Sequence, residues 1–126
     1  MTSWRLYSEK MLEAMDIPSL DPTRRVSFHD ELYLGEQHTP VQSTCRRIFK
    51  MDMQDIANST VVLADIRRDS GRGTGTAMEL MFAHMKNKII ILWANEEDMI
   101  HPFYESIYTE KYFELEDCLQ AISYYY

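Results

Sequence analysis

A chain of 126 residues, 45% apolar and 26% charged, is sized for one globular domain, residues 1–126, that buries a core without staples. Its net charge of −7 argues against a nucleic-acid backbone or an anionic membrane as partner, since both need a basic footprint. The longest apolar run, Ile89-Ile-Ile-Leu-Trp-Ala94, is far short of a bilayer span, and no repeat or low-complexity tract occurs.

The start, Met-Thr-Ser-Trp-Arg, lacks a basic-then-apolar signal layout, and Cys45 and Cys118 both fall at core-facing positions of predicted helices. Both features suit a reducing, cytoplasmic setting. Residues 3 to 15 read as an amphipathic helix with Trp4, Tyr7, Met11, Leu12 and Met15 on one face. Pro18 ends it, and Ile17 to Leu20 reads as a short strand stopping at Asp21-Pro22. Residues 26 to 42 are ambiguous: Val26 to Phe28 and Leu32 to Leu34 are either short strands or an excursion over a site.

A helix over about 43 to 58 follows, with a stripe of Cys45, Ile48, Phe49 and Ile56. Asp52 occupies the same stripe. A carboxylate centred on an apolar face needs a partner or a function, unless the face ends there and leaves it at a rim. The basic doublets Arg24-Arg25, Arg46-Arg47 and Arg67-Arg68 read by default as solvated surface charge.

Thr60 to Ile66 is a β-branched apolar run, the signature of a buried strand. A turn with Gly71, Gly73 and Gly75 at alternate positions follows, then a helix over 76 to 86 that is apolar on nearly every side. Glu79 is its only acid. Lys86-Asn-Lys is a plausible stop with cations in the last turn. Lys88 to Ala94, the most hydrophobic strand, reads as central and parallel and ends at Asn95-Glu-Glu-Asp. His101-Pro102 opens an aromatic loop, Tyr112-Phe113 is a last short strand, and Leu115, Cys118, Leu119 and Ile122 mark a closing helix. Strands alternating with helices predict a doubly wound parallel α/β sheet, whose ligands bind beyond the carboxyl ends of the strands. Tyr124-Tyr125-Tyr126 reads as a frayed terminus or a contact with a neighbouring subunit.

Three chemical readings of the Gly-rich stretch compete. The glycines invite a phosphate loop, but Gly-x-Gly-x-Gly is not Gly-x-Gly-x-x-Gly and no Gly-Lys-Ser/Thr follows. Thr76-x-x-Glu79 matches a capping box, with Thr76 as N-cap, and as such needs no chemistry. Alternatively Glu79 is a carboxylate nucleophile, kept ionised by the first turn of its helix, with Asp52 handling protons across a cleft. The four histidines are too scattered for a metal site, and neither a metal nor a cofactor is expected.

Met51-Asp52-Met-Gln-Asp55-Ile-Ala-Asn-Ser-Thr-Val-Val-Leu-Ala-Asp65-Ile and Gly75-Thr76-Ala-Met-Glu79-Leu-Met-Phe-Ala83 resemble the nucleoside 2-deoxyribosyltransferase family, with its relatives that hydrolyse nucleoside 5′-monophosphates. Lys86-Asn-Lys-Ile-Ile-Ile-Leu, His101-Pro102 and Leu20-Asp21-Pro22-Thr23-Arg24 extend the resemblance over about residues 4 to 123. It implies a flavodoxin-like sheet of four to five strands with helices on both faces. It also implies a homo-oligomer, a small-molecule nucleoside or nucleotide partner, and a role in nucleotide salvage. Glu79 becomes the nucleophile and Asp52 the acid at the nucleobase. Asp65, Asp69, Asn95, His101, Gly73, Gly75, Thr76 and Arg24 are carried over as substrate-binding positions. Two departures stand out. The aspartate the family usually places six residues before the glutamate is Gly73 here, with Asp69 the nearest substitute. The family's opening strand and small-residue loop also have no counterpart, so that strand is expected either upstream of Met1 or lost, and a non-catalytic nucleotide-binding or oligomer module on the same fold stands as the alternative to an enzyme.

Overall fold

The computed structural model describes residues 3–22, 42–68 and 73–126. The chain divides into two compact units, Met1–Asp55 and Ile56–Tyr126. The possible strands at 26 to 42 lie outside the described residues, apart from Gln42 itself.

In the first unit, helix α1 spans Ser3–Ala14. Its covered face runs through Trp4, Ser8, Leu12 and Met15, whereas Tyr7 and Met11 are exposed, about one residue round from the expected face. Ser8 tolerates burial because its hydroxyl donates to the Trp4 carbonyl at 2.7 Å. The helix is closed by its own backbone rather than by Pro18. Asp16 turns left-handed (φ 59°), and the Asp16 and Ile17 N–H groups donate to the Glu13 and Leu12 carbonyls at 3.0 and 2.9 Å. This is a Schellman motif, and buried Leu12 and Ile17 supply its apolar contact. Residues 17–20 form no strand, correcting that expectation: Ile17 is spent on the helix cap and Pro18 lacks a donor. Arg5 pairs with Asp21 at 3.1 Å, tying the segment back to α1.

Helix α2, Gln42–Ala57, matches the expected span. Its stripe is covered only toward the C-terminal end: Ile56 is buried, Ile48 and Asp52 are half-buried, and Cys45 and Phe49 are exposed. The core position expected for Cys45 is therefore corrected, and Asp52 lies where the apolar face gives out.

The second unit holds β1 (Val61–Asp65), α3 (Thr74–Met85), β2 (Ile89–Trp93), α4 (Pro102–Ile107), β3 (Glu110–Tyr112) and α5 (Leu115–Tyr125). The three strands form a parallel sheet in the order β1-β2-β3, with β2 central as expected. Ile90, Ile91 and Leu92 are all fully buried. Successive side chains on a strand point to opposite faces, so both faces of β2 are covered. Helix α5 packs on all three strands and α3 on β1 and β2. Leu80, Ala83, Leu115, Cys118, Leu119 and Ile122 supply the helical side of this core. Helix α4 replaces the expected aromatic loop. His101 caps it by accepting the Phe103 N–H at Nδ1 (3.1 Å), and Pro102 stands at its first position, where a missing N–H costs nothing.

Helix α3 ends as Lys86-Asn-Lys predicts. Asn87 is left-handed (φ 58°), with the Asn87 and Lys88 N–H groups donating to the His84 and Ala83 carbonyls at 3.0 Å each. Lys88 then reaches the Ala57 carbonyl at the end of α2 (3.0 Å), a cation on a helix C-terminus. Among the described residues, no helix is long and apolar enough to cross a membrane.

Candidate active site

Parallel strands bring their carboxyl ends to one edge, and here Asp65, Trp93 and Tyr112 stand in register across it. Arg67, two residues beyond Asp65, bends back over this row. Its Nε and Nη2 donate to Asp65 Oδ1 and Oδ2 at 2.9 and 2.8 Å, and its main-chain N–H donates to Oδ1 at 3.1 Å. The guanidinium lies 3.4 Å above the centre of the Trp93 ring. Planar, delocalised charge suits both contacts, which a lysine could not make together. Trp93 is itself held by an Nε1–H bond to the Phe113 carbonyl at 3.3 Å.

A second tie crosses the same edge. Arg68 donates its main-chain N–H to Asp98 Oδ2 at 3.1 Å, and its guanidinium pairs with Oδ1 at 3.1 Å. Asn95 Nδ2 also donates to Asp98 Oδ2 (3.2 Å), and the Asp98 N–H returns to the Asn95 carbonyl at 3.2 Å. The Asp98 side chain is only 4% exposed, and Asp65 only 6%. Burial of either carboxylate is tolerable because several donors, one of them cationic, converge on it.

Helix α3 begins earlier than its sequence pattern suggests. Gly73, in extended backbone, is the N-cap, and as a glycine it brings no side chain to the cap. Thr76 therefore sits inside the helix, and the capping-box reading is corrected. Glu79 is the sixth helical residue, past the first turn, so the helix N-terminus gives its anion little support. Glu79 is half-buried, with Thr76 and Phe82 three residues to either side.

Of the other expected site residues, Gly73 and Gly75 are exposed and Thr76 is half-buried. Asp65 and Asn95 lie at the carboxyl edge, engaged by Arg67 and Asp98. His101 caps α4 and meets the Phe103 ring edge-on at 4.9 Å. Asp52 belongs to the first unit; Arg24 and Asp69 lie outside the described residues. Sequence reasoning missed Arg67, Arg68, Trp93 and Asp98. It took the arginine doublet for solvated charge, and the only signal for Asp98 was its place in the acidic run after the central strand.

The outer strand β3 carries a second cluster, which shares Tyr112 with this edge. Tyr112 and Tyr125 each donate a hydroxyl to a different oxygen of Glu110. These bonds hold the Glu110 carboxyl below its usual range, while the same carboxylate pushes the Tyr112 phenol up to about 12 and raises Tyr125. Tyr125 is thus a working contact of α5 rather than a frayed end.

No protein-family model matches the chain, and no curated protein matches it. Solved structures do. A 2-deoxyribosyltransferase from the psychrotolerant bacterium Bacillus psychrosaccharolyticus is similar with a TM-score of 0.68 at 19% identity, over 88% of this chain and 75% of that one. The CMP N-glycosidase BcmB of Clostridium botulinum is similar with a TM-score of 0.49 at 20% identity, over 80% of this chain and 91% of that one. The parallel sheet flanked by helices is flavodoxin-like, and the chain shares the fold of a 2-deoxyribosyltransferase, the family its Gly75-Thr76-Ala-Met-Glu79 segment resembles.

Proposed function

We infer that the protein is an enzyme that cleaves or transfers the N-glycosidic bond of a (deoxy)nucleoside or nucleoside 5′-monophosphate. The observation that carries this reading is Glu79, the single acid of α3, half-buried on the helix that follows the carboxyl end of β1, in a fold shared with a 2-deoxyribosyltransferase. In this reading a Glu79 oxygen attacks C1′ of the sugar as the C1′–N bond breaks. The bonding pair leaves with the base, which takes a proton from solvent, and a glycosyl ester remains on Glu79. A second base attacking C1′ breaks the C1′–O bond of that ester, frees the Glu79 carboxylate, gives up its proton to solvent and so completes transfer; water doing the same completes hydrolysis. Shared sites in a homo-oligomer accord with the sequence resemblance.

Incubation with 2′-deoxynucleosides and their 5′-monophosphates, with and without a second free base, followed by chromatography of the products, tests the reading. Release of base and sugar alone identifies a hydrolase, and base exchange a transferase. Glu79→Ala is expected to lower kcat by at least about a thousandfold, as loss of a covalent nucleophile does. Retention of full activity in that variant would overturn the glutamate mechanism.

A further inference from the structure

The carboxyl edge of the sheet carries two guanidiniums, and each is already committed to a buried carboxylate: Arg67 to Asp65, and Arg68 to Asp98. Beside them stand the exposed Glu96 and Glu97, in the same turn as Asp98. Among the described residues of this edge, four carboxylates therefore face two cations. The Asp98 arrangement is the more telling of the two. Its carboxylate takes the Arg68 guanidinium on one oxygen, and the Arg68 main-chain N–H and the Asn95 amide on the other. One side chain thus consumes a charge, a backbone donor and a side-chain donor, the three kinds of group that would otherwise bind an anion.

We propose that Asp98 is a specificity-determining residue: by occupying Arg68 and its N–H, it disfavours phosphorylated substrates at this edge relative to the uncharged nucleoside. This rests on the reading of the edge as a nucleoside site. A 5′-phosphate carries between one and two negative charges at neutral pH, so its repulsion from the acidic edge is long-ranged and screened by salt. Asp98→Asn keeps an acceptor of nearly the same shape but removes the charge that neutralises Arg68.

The test compares kcat/KM for a 2′-deoxynucleoside and for its 5′-monophosphate at low and high salt, in wild type, Asp98→Asn and Asp98→Glu. Wild type is expected to favour the nucleoside by about tenfold at low salt, less at high salt. Asp98→Asn is expected to narrow that ratio severalfold through KM for the monophosphate. Asp98→Glu, which restores the charge, is expected to recover it; a change in fold or stability alone would not track charge in this way. A wild-type preference for the monophosphate, or a ratio unmoved in Asp98→Asn, overturns the proposal. Inorganic phosphate, read by thermal shift, separates it from the functional reading. Stabilisation of Asp98→Asn but not of wild type supports the role of Asp98 even if neither substrate turns over, and equal responses overturn it.

Discussion

Cys45 and Cys118 carry one functional group into opposite surroundings. Cys45 is exposed on α2, whereas Cys118 is fully buried, its Sγ 3.8 Å from the Leu92 carbonyl, and burial pushes its thiol up to about 12. Thiolates, not thiols, react, so at neutral pH a disulfide reagent is expected to label one thiol per chain quickly and the second only in denaturant. Fast labelling of both would show that α5 does not hold Cys118 as described. Asp65 makes a related point about what a sequence discloses. Its place at the strand tip was legible from the apolar run that it ends. Its engagement with Arg67 was not, because that depends on the chain turning back after Ile66 to lay the guanidinium on Trp93, a residue 26 positions further along.

At the scale of elements, the strands and the closing helix were legible because their patterns are strong. Lys88 to Ala94 has no alternative as anything but a doubly covered strand, and Leu115, Cys118, Leu119 and Ile122 share one helical face. Element ends and helix faces were less so. Tyr7 and Met11 carry far more apolar surface than Ser8, yet Ser8 is the buried residue, because a hydroxyl can satisfy itself on its own helix. Thr76-x-x-Glu79 fits a capping box, but the glycine before Thr74 starts the helix first. That start has a measurable consequence at Gly75, which lies within the first turn of α3 and where an added Cβ would meet nothing within 4 Å. Gly75→Ala is expected to stabilise the protein by about 0.4–1 kcal/mol in denaturant unfolding, mainly by restricting the unfolded chain. If substrate approaches this backbone, the same variant loses activity while gaining stability. A gain in both would remove Gly75 from the binding surface.

For the whole molecule, stability should follow pH through the cluster at β3 and α5. The folded Glu110 carboxyl titrates below its unfolded value of about 4.3, so its contribution is full above that pH and is lost as pH falls through the lowered value. The Tyr112 phenol is raised from about 10 to about 12, so its contribution is full below pH 10 and disappears as pH rises toward 12. Urea midpoints measured across pH are expected to fall at both ends. Glu110→Gln is expected to flatten both limbs, because the carboxylate is gone and Tyr112 then titrates closer to its unfolded value. An acid limb unchanged in that variant would assign the loss to other carboxylates. The alternation of strands and helices made the parallel sheet legible from sequence, but the pairing of Tyr112 and Tyr125 on one carboxylate was not, since it joins residues that only the packing of α5 brings together.

The stacking of Arg67 on Trp93 has an optical consequence. The chain has two tryptophans, Trp4 in the first unit and Trp93 at the carboxyl edge of the second. A cation resting on an indole ring shifts and quenches its emission, so Trp93 fluoresces according to whether the guanidinium is in place. In a Trp4→Phe background the protein would carry a single built-in fluorophore at the candidate site. A ligand that displaces Arg67 would then announce itself as a change in colour and brightness, with no label attached and no turnover required.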